Sequence, residues 1–409
     1  MIKIKVFSLK QIFVLLTVAV IVISCKKETI EIKKENKECV TKAEAERVAN
    51  IFANSNTTGL KMRKSGSFEM KSIDKIYVIS DNNEPSIYIV NFKPQGFVII
   101  SATKREIPIL GFSESSYIDL EYESLGFQEW IKLRKEKIRA LKKDCVVLPS
   151  DLNDIWEAYI PQHEPNTGGE DPIYDPDLDP TNSNYLAART IVKGPLLTTV
   201  WDQTHGFNTL LTPIDGILPP AGCVATATAQ VMKYYKFPST YNWAAMPDSN
   251  ATLETARLLK DIGIAVEMDY GVGASYSNIY KAQTALVSTF GYSSTANIVL
   301  YNYSTVVSEI NNKRPVIFNG YTSSTGGYGH AWVCDGYLID EYFRNQSGTV
   351  TSHTEYLHMN WGYFYGSGNG YFATGNFKVT YSDGTTLNFK YNNNCVVSIK
   401  PGIATKSIE

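Results

Sequence analysis

Cys223, His330, Asn360 and Gln203, with Trp361 next to the asparagine, are the residues of this chain whose types could together carry covalent chemistry. A cysteine nucleophile needs a base that later returns its proton, a group that orients the base, and donors for an oxyanion. His330 opens the run Ala331-Trp332-Val333-Cys334-Asp335-Gly336-Tyr337 directly after Gly326-Gly327-Tyr328-Gly329, so it is expected at a strand end on a cleft rim. Asn360 and Trp361 close another apolar run; the amide would hold one imidazole nitrogen and the indole would shield that bond from water. Gln203 could donate a side-chain N–H to an oxyanion beside the Cys223 backbone amide. Singly, each residue has a bland reading: a core thiol, a structural histidine, a surface glutamine. Together they fill the roles of a Cys-His-Asn hydrolase working through a thioester.

The element that must present the thiol is the stretch from Ala221 to Lys236. Pro219 and Pro220 precede it, Pro238 stops it, and its interior is small or straight-chain. Val224, Ala227, Thr228, Val231, Met232 and Tyr235 recur at helical spacing, which predicts a helix buried along one face. Cys223 falls in its first turn, where unpaired N–H groups and the helix dipole favour a thiolate.

Competing sites are weaker. Cys334 lies four residues beyond His330 on one strand, about 13 Å along it and out of reach. His353 and His358 have no third metal ligand in view, and no Gly-rich phosphate loop follows a strand. No cofactor or metal is expected. A net charge of −2 over 409 residues offers no basic field for nucleic acid.

The chain is long enough for two folded units. Its start carries Lys3, Lys5 and Lys10, then an apolar run from Ile12 to Ile23 broken only by Thr17, then Ser24-Cys25. That reads as a signal peptide over 1–24 rather than a membrane span. The ending resembles a bacterial lipobox, which implies export with lipid on Cys25 as the membrane attachment. The cysteines left are Cys39, Cys145, Cys223, Cys334 and Cys395, an odd number, so at least one thiol stays unpaired. If disulfides form, Cys39 with Cys145 and Cys334 with Cys395 are the pairings within each unit.

A first α+β unit is expected over 39–145. Thr41-Lys42-Ala43-Glu44 is a capping box opening an amphipathic helix. Four strand-like runs follow, then a helix from Leu125 to Lys142 with Phe127, Trp130, Ile131, Ile138 and Leu141 on one face and a Lys/Arg-rich face read as solvated. Residues 146–189 read as a linker, with Pro and Asp interleaved between His163 and Pro180. A second unit over 190–401 places helices first and antiparallel strands after, with a cleft between the halves.

Leu196-Leu197-Thr198-Thr199-Val200-Trp201-Asp202-Gln203, the run from Gly222 to Tyr235, Gly329-His330-Ala331-Trp332 and His358-Met359-Asn360-Trp361-Gly362 resemble, in order, the streptopain family of secreted bacterial cysteine proteases. Ile87–Phe92, Gly96–Ser101 and Ile109–Ser113 resemble that family's inhibitory propeptide. The resemblance implies a papain-like α+β fold, a catalytic pair Cys223 and His330, Gln203 in the oxyanion hole, and Asn360 and Trp361 supporting the histidine. It implies protein or peptide substrates, and inhibition by the chain's own first unit until the linker is cut. His205-Gly206-Phe207-Asn208 departs from the family's Pro-Tyr-Asn-like segment, which touches specificity rather than chemistry. Two alternatives stay open: a papain-like transglutaminase or amidase, and a surface inhibitor or binding lipoprotein whose peptidase unit has decayed.

Overall fold

A computed structural model describes residues 38–54, 70–121, 124–142, 152–157, 159, 186–321, 329–344, 350–363, 366–374, 378–380, 386–388 and 394–402. The expected leader, Cys25, Cys145 and the Pro/Asp stretch from His163 to Pro180 lie outside these residues. Among the described residues no helix is long and apolar enough to cross a membrane.

Helix α1 (Lys42–Asn54) opens with the capping box: the Glu44 N–H donates to Thr41 Oγ1 at 3.2 Å and the Thr41 N–H to Glu44 Oε2 at 2.8 Å. Strands β1 (Ser72–Asp81), β2 (Glu84–Lys93), β3 (Phe97–Ser101) and β4 (Ile109–Ser113) form an antiparallel meander. Helix α2 (Leu125–Leu141) follows, its Phe127 N–H capped by Ser124 Oγ. The span 146–189 is not all linker. It contains a short helix, α3 (Leu152–Glu157), whose Leu152 and Trp156 are buried against the meander, and its end enters β5 (Leu186–Lys193). Apolar residues near that helix outweigh the polar composition around it.

The C-terminal region supplies α4 (Cys223–Tyr235), α5 (Leu253–Ala265), α6 (Ile279–Ser288), β6 (Asn297–Leu300) and α7 (Tyr303–Asn311). Strands β7 (Val316–Tyr321), β8 (Gly329–Arg344), β9 (Val350–Asn360) and β10 (Gly370–Ala373) come next. A small hairpin, β11 (Lys378–Thr380) with β12 (Thr386–Asn388), and then β13 (Asn394–Val397) complete the elements.

Both regions share one antiparallel sheet, in the order β1-β2-β3-β4-β10-β9-β8-β7-β13-β6, with β5 on the far half of β8. The junction is β4 on β10, with Phe112 opposite Tyr371 and Gly111 opposite Phe372. Alternation along the strands separates two cores. Ile317, Ala331, Val333 and Val396 face α4, α5 and α6, whereas Phe318, Trp332, Cys334 and Cys395 face α2 and α7.

Helix α4 departs from the one-faced expectation. Every residue from Ala225 to Met232 is buried, because α5 and α6 cover one side and β7 and β8 the other. Thr226 and Thr228 satisfy their hydroxyls on the carbonyls of Gly222 and Val224, so burial leaves neither unpaired. The basic face of α2 is not wholly solvated either: Arg134 and Lys137 turn inward to buried Glu106, and Arg134 also donates to the Ala373 carbonyl on β10. Cys39, Cys223, Cys334 and Cys395 are free thiols. Cys334 and Cys395 sit on strands either side of β7, opposite Val316 and Phe318, so two strand spacings and a two-residue offset put them about 12 Å apart, beyond disulfide reach.

Candidate active site

Cys223 is the first residue of α4. Its N-cap, Gly222, has φ +90° and no room for a side chain, since a Cβ there would lie 2.6 Å from the Met268 thioether. The thiol opens partly into a cleft of about 730 Å³ whose walls include Gln203, His205, Val272, Tyr276, His330 and Leu125. Gln203 is tied to the entry of α4, because its carbonyl accepts the Ala221 N–H at 2.7 Å. The structure therefore brings Cys223, Gln203 and His330 to one cleft.

The thiol and imidazole are not paired in this state. Among the described residues no hydrogen bond joins them, and the imidazole stacks on Trp332 with centroids 6.0 Å apart. Trp332 belongs to the core that α2 covers, and α2 reaches the imidazole itself. A Cβ on Gly126 would stand 2.8 Å from His330 Cδ2 and 2.7 Å from the Trp361 ring. Only a glycine allows that approach. Burial pushes the Cys223 thiol up, although the N–H groups of Ala331, Val224 and Cys223 itself oppose the shift. Burial lowers His330 to about 4, opposed by its bond to Trp361. Both groups are thus neutral near pH 7, where attack on a carbonyl needs thiolate and imidazolium.

Asn360 does not hold the imidazole, contrary to expectation. His330 Nε2–H donates to the Trp361 carbonyl at 2.9 Å, which leaves Nδ1 as the basic nitrogen. The Asn360 amide faces elsewhere: Nδ2 donates to the Thr199 carbonyl at 2.7 Å and to Gln230 Oε1 at 3.1 Å. Trp361 contributes its carbonyl and a ring packed on Trp332, Phe127 and Phe372, rather than a lid over an Asn–His bond. Its N–H is taken by Asn369 Oδ1 and its indole N–H by the Gly368 carbonyl. Reading residue types passed over Gln230, Asn369 and Gly126. A glutamine inside a helical run of small apolar residues was the available signal for the first; nothing local marks the other two.

His205, the departure noted in the sequence, lies on the cleft wall with φ +47°, its Nδ1 3.0 Å from Asp202 Oδ2. The pair holds the loop that carries Gln203. Among the described residues no group of His, Cys, Asp and Glu could hold a metal ion.

Residues 201–240 and 239–372 match the Peptidase C10 family, and residues 37–138 match the Spi protease inhibitor family. Streptopain of Streptococcus pyogenes is 25% identical over 399 residues, covering 82% of this chain and 86% of that protein. The thiol protease/hemagglutinin PrtT of Porphyromonas gingivalis is 24% identical over 382 residues; the match takes in 81% of this chain but only 38% of that longer protein. A solved structure of a Prevotella intermedia prointerpain A fragment is 23% identical, superposes with a TM-score of 0.51, and covers 80% of this chain and 98% of that one. This likeness extends to the fold, α+β and papain-like with a propeptide region in front.

Proposed function

Because this chain is a streptopain-like peptidase of the C10 family that carries its own Spi-type inhibitor region, we propose that it is a self-inhibited cysteine endopeptidase whose chemistry rests on Cys223 and His330. The observation that carries the site assignment is the shared cleft. Cys223 at the head of α4, Gln203 and His330 line one cavity, and the first turn of the inhibitor helix α2 presses on the imidazole.

Removing α2 frees His330 to turn its Nδ1 toward the thiol. Proton transfer then gives the thiolate, which attacks a peptide carbonyl; the Cys223 N–H and the Gln203 side chain receive the oxyanion. The imidazolium protonates the leaving amine, and the neutral imidazole next deprotonates the water that releases the acyl group. A tethered inhibitor acts at high effective concentration, so modest intrinsic affinity keeps the site shut until residues 146–189 are cut. The test is casein hydrolysis and labelling by an active-site thiol probe before and after processing. Activity only after processing, absent in Cys223→Ala, supports the reading. An uncut chain as active as the trimmed one sinks the self-inhibition, and an active Cys223→Ala chain sinks the site.

For location, the motivating residues are Lys3, Lys5, Lys10, the run from Ile12 to Ile23 and Ser24-Cys25. We propose export and lipid attachment at Cys25, with more than one acyl chain giving stable anchoring. Globomycin-sensitive processing and a lipid mass on the N-terminal peptide support this; a Cys25→Ser protein still held at the membrane opposes it.

A further inference from the structure

Gln230 and Asn360 form a reciprocal amide pair. Gln230 Nε2 donates to Asn360 Oδ1 at 3.2 Å while Asn360 Nδ2 donates to Gln230 Oε1 at 3.1 Å. Both side chains are buried, Gln230 at 0% and Asn360 at 3% exposure, so their hydrogen-bonding capacity can be counted in full. Gln230 Oε1 also accepts the Thr199 hydroxyl at 2.9 Å and the Trp201 N–H at 3.4 Å. Asn360 Oδ1 also takes the Gly362 N–H at 3.2 Å, and Nδ2 donates to the Thr199 carbonyl. Asn360 therefore has two donors in use and two lone pairs in use. It has nothing left for an imidazole unless one of these bonds breaks.

The pair joins three segments that hold the reacting groups. Gln230 lies seven residues beyond Cys223 on α4, and Thr199 and Trp201 lead into Gln203. Residues 360–362 carry the carbonyl that accepts the His330 N–H. We propose that Gln230 is a positioning residue of the hydrolytic site: it clamps Asn360 so that the 360–362 backbone, rather than the Asn360 side chain, orients His330, and so that this backbone keeps a fixed relation to the thiol helix and the Gln203 segment. The proposal rests on the Cys223–His330 assignment above.

The carbonyl bond favours the charged imidazolium, so loosening it lowers the affinity of His330 for its proton. The alkaline limb of the pH–rate profile should then move to lower pH. A residue that merely fills the core would change the melting temperature and leave that limb in place.

Each variant is made as the full-length chain and matured with a catalytic amount of bead-bound wild-type enzyme, which is then removed. Gln230→Met keeps length and helix propensity while removing both polar atoms. It should reduce kcat by about tenfold with KM within twofold, and shift the alkaline limb down by about half a pH unit. Asn360→Ala should do the same, and the double variant should be no worse than the poorer single, because the two act as one unit. If Gln230→Met does not accumulate as folded protein, Thr199→Val replaces it. That change removes one hydroxyl donor at nearly constant volume and should cost about threefold in kcat with the same direction of limb shift.

Normal kcat and an unmoved alkaline limb in the folded variant overturn the proposal. So do effects of Gln230→Met and Asn360→Ala that multiply. Cys223→Ala, run alongside, separates the two readings: if it keeps turnover the site assignment has failed, and if it is inactive while Gln230→Met is normal only the clamp has failed.

Discussion

The two faces of the C-terminal sheet are built from different materials. The α4 face interleaves small residues, Ala225, Ala227, Ala229 and Ala331 among them, with aliphatic ones such as Val231, Met232, Ile317 and Val333. The α2 face is aromatic: Phe127 and Trp130 come from α2, and Phe318, Trp332, Trp361 and Phe372 from the strands. Small residues let the helix that carries Cys223 pack closely against β8, the strand that carries His330. Large rings make a broad seat that one helix can cover, and His330 lies where that seat begins. The thiol thus belongs to the face of small residues, and the imidazole, stacked on Trp332, to the aromatic face that α2 covers.

Removing the thiol should produce the largest effect while disturbing neither face. Cys223→Ala is expected to lower peptidase activity by at least about 10⁴-fold, and the chain should accumulate uncut if processing is autocatalytic. Alanine suits the first turn of α4, so its melting temperature should match the parent's.

Arg134 sharpens the contrast from the other side. It is buried with Glu106 and Lys137 and reaches the Ala373 carbonyl, so Arg134→Ala leaves a buried carboxylate with one cation fewer and an unpaired carbonyl. A loss of about 3–5 kcal/mol is expected, read by urea unfolding of the uncut Cys223→Ala chain.

Gly126→Ala tests the contact itself. The new methyl must displace His330 or Trp361, at a cost of about 1–3 kcal/mol to the closed state. The full-length variant should therefore process severalfold faster, followed by gel over time. Slower or unchanged processing would mean that α2 does not restrain the imidazole.

Acid should loosen the same contact. His330 lies at about 4 in the closed state against an ordinary 6.5. The closed state is therefore at full stability above pH 6.5 and loses it as pH falls toward 4, since exposed imidazole takes the proton first. Glu106 is also held below its ordinary value, against its burial, by Lys137 and Arg134, and adds a further loss below about pH 4.5. The melting temperature of uncut Cys223→Ala should fall between pH 7 and 5, and less so in a His330→Ala background. A flat profile over that range would remove His330 from the balance.

Much of this was legible from the chain. The capping box at Thr41 and the helix at Cys223 depend on local chemistry, and both stand within a residue or two of their expected limits. The gathering of Cys223, Gln203 and His330 followed from the roles a thiol nucleophile requires. The partners of Asn360 did not, because they depend on which of several buried amides meets it across a gap of 130 residues. The inward turn of Arg134 and Lys137 was hidden for a similar reason: a basic stripe looks solvated until a buried Glu106 is known to face it. Strands β5 and β6 were missed because their partners, β8 and β13, lie far along the chain.

The junction of β4 with β10 also sets an order of events during synthesis. Its two strands lie roughly 260 residues apart, so β4 leaves the ribosome on the order of tens of seconds before its neighbour exists. For that interval the meander ends in an unpaired edge, open to pairing with another chain. β4 is only five residues long, and two of them make the register with β10. So short an edge offers little template to a stray strand, and the seam that later shuts the enzyme is narrow enough to wait.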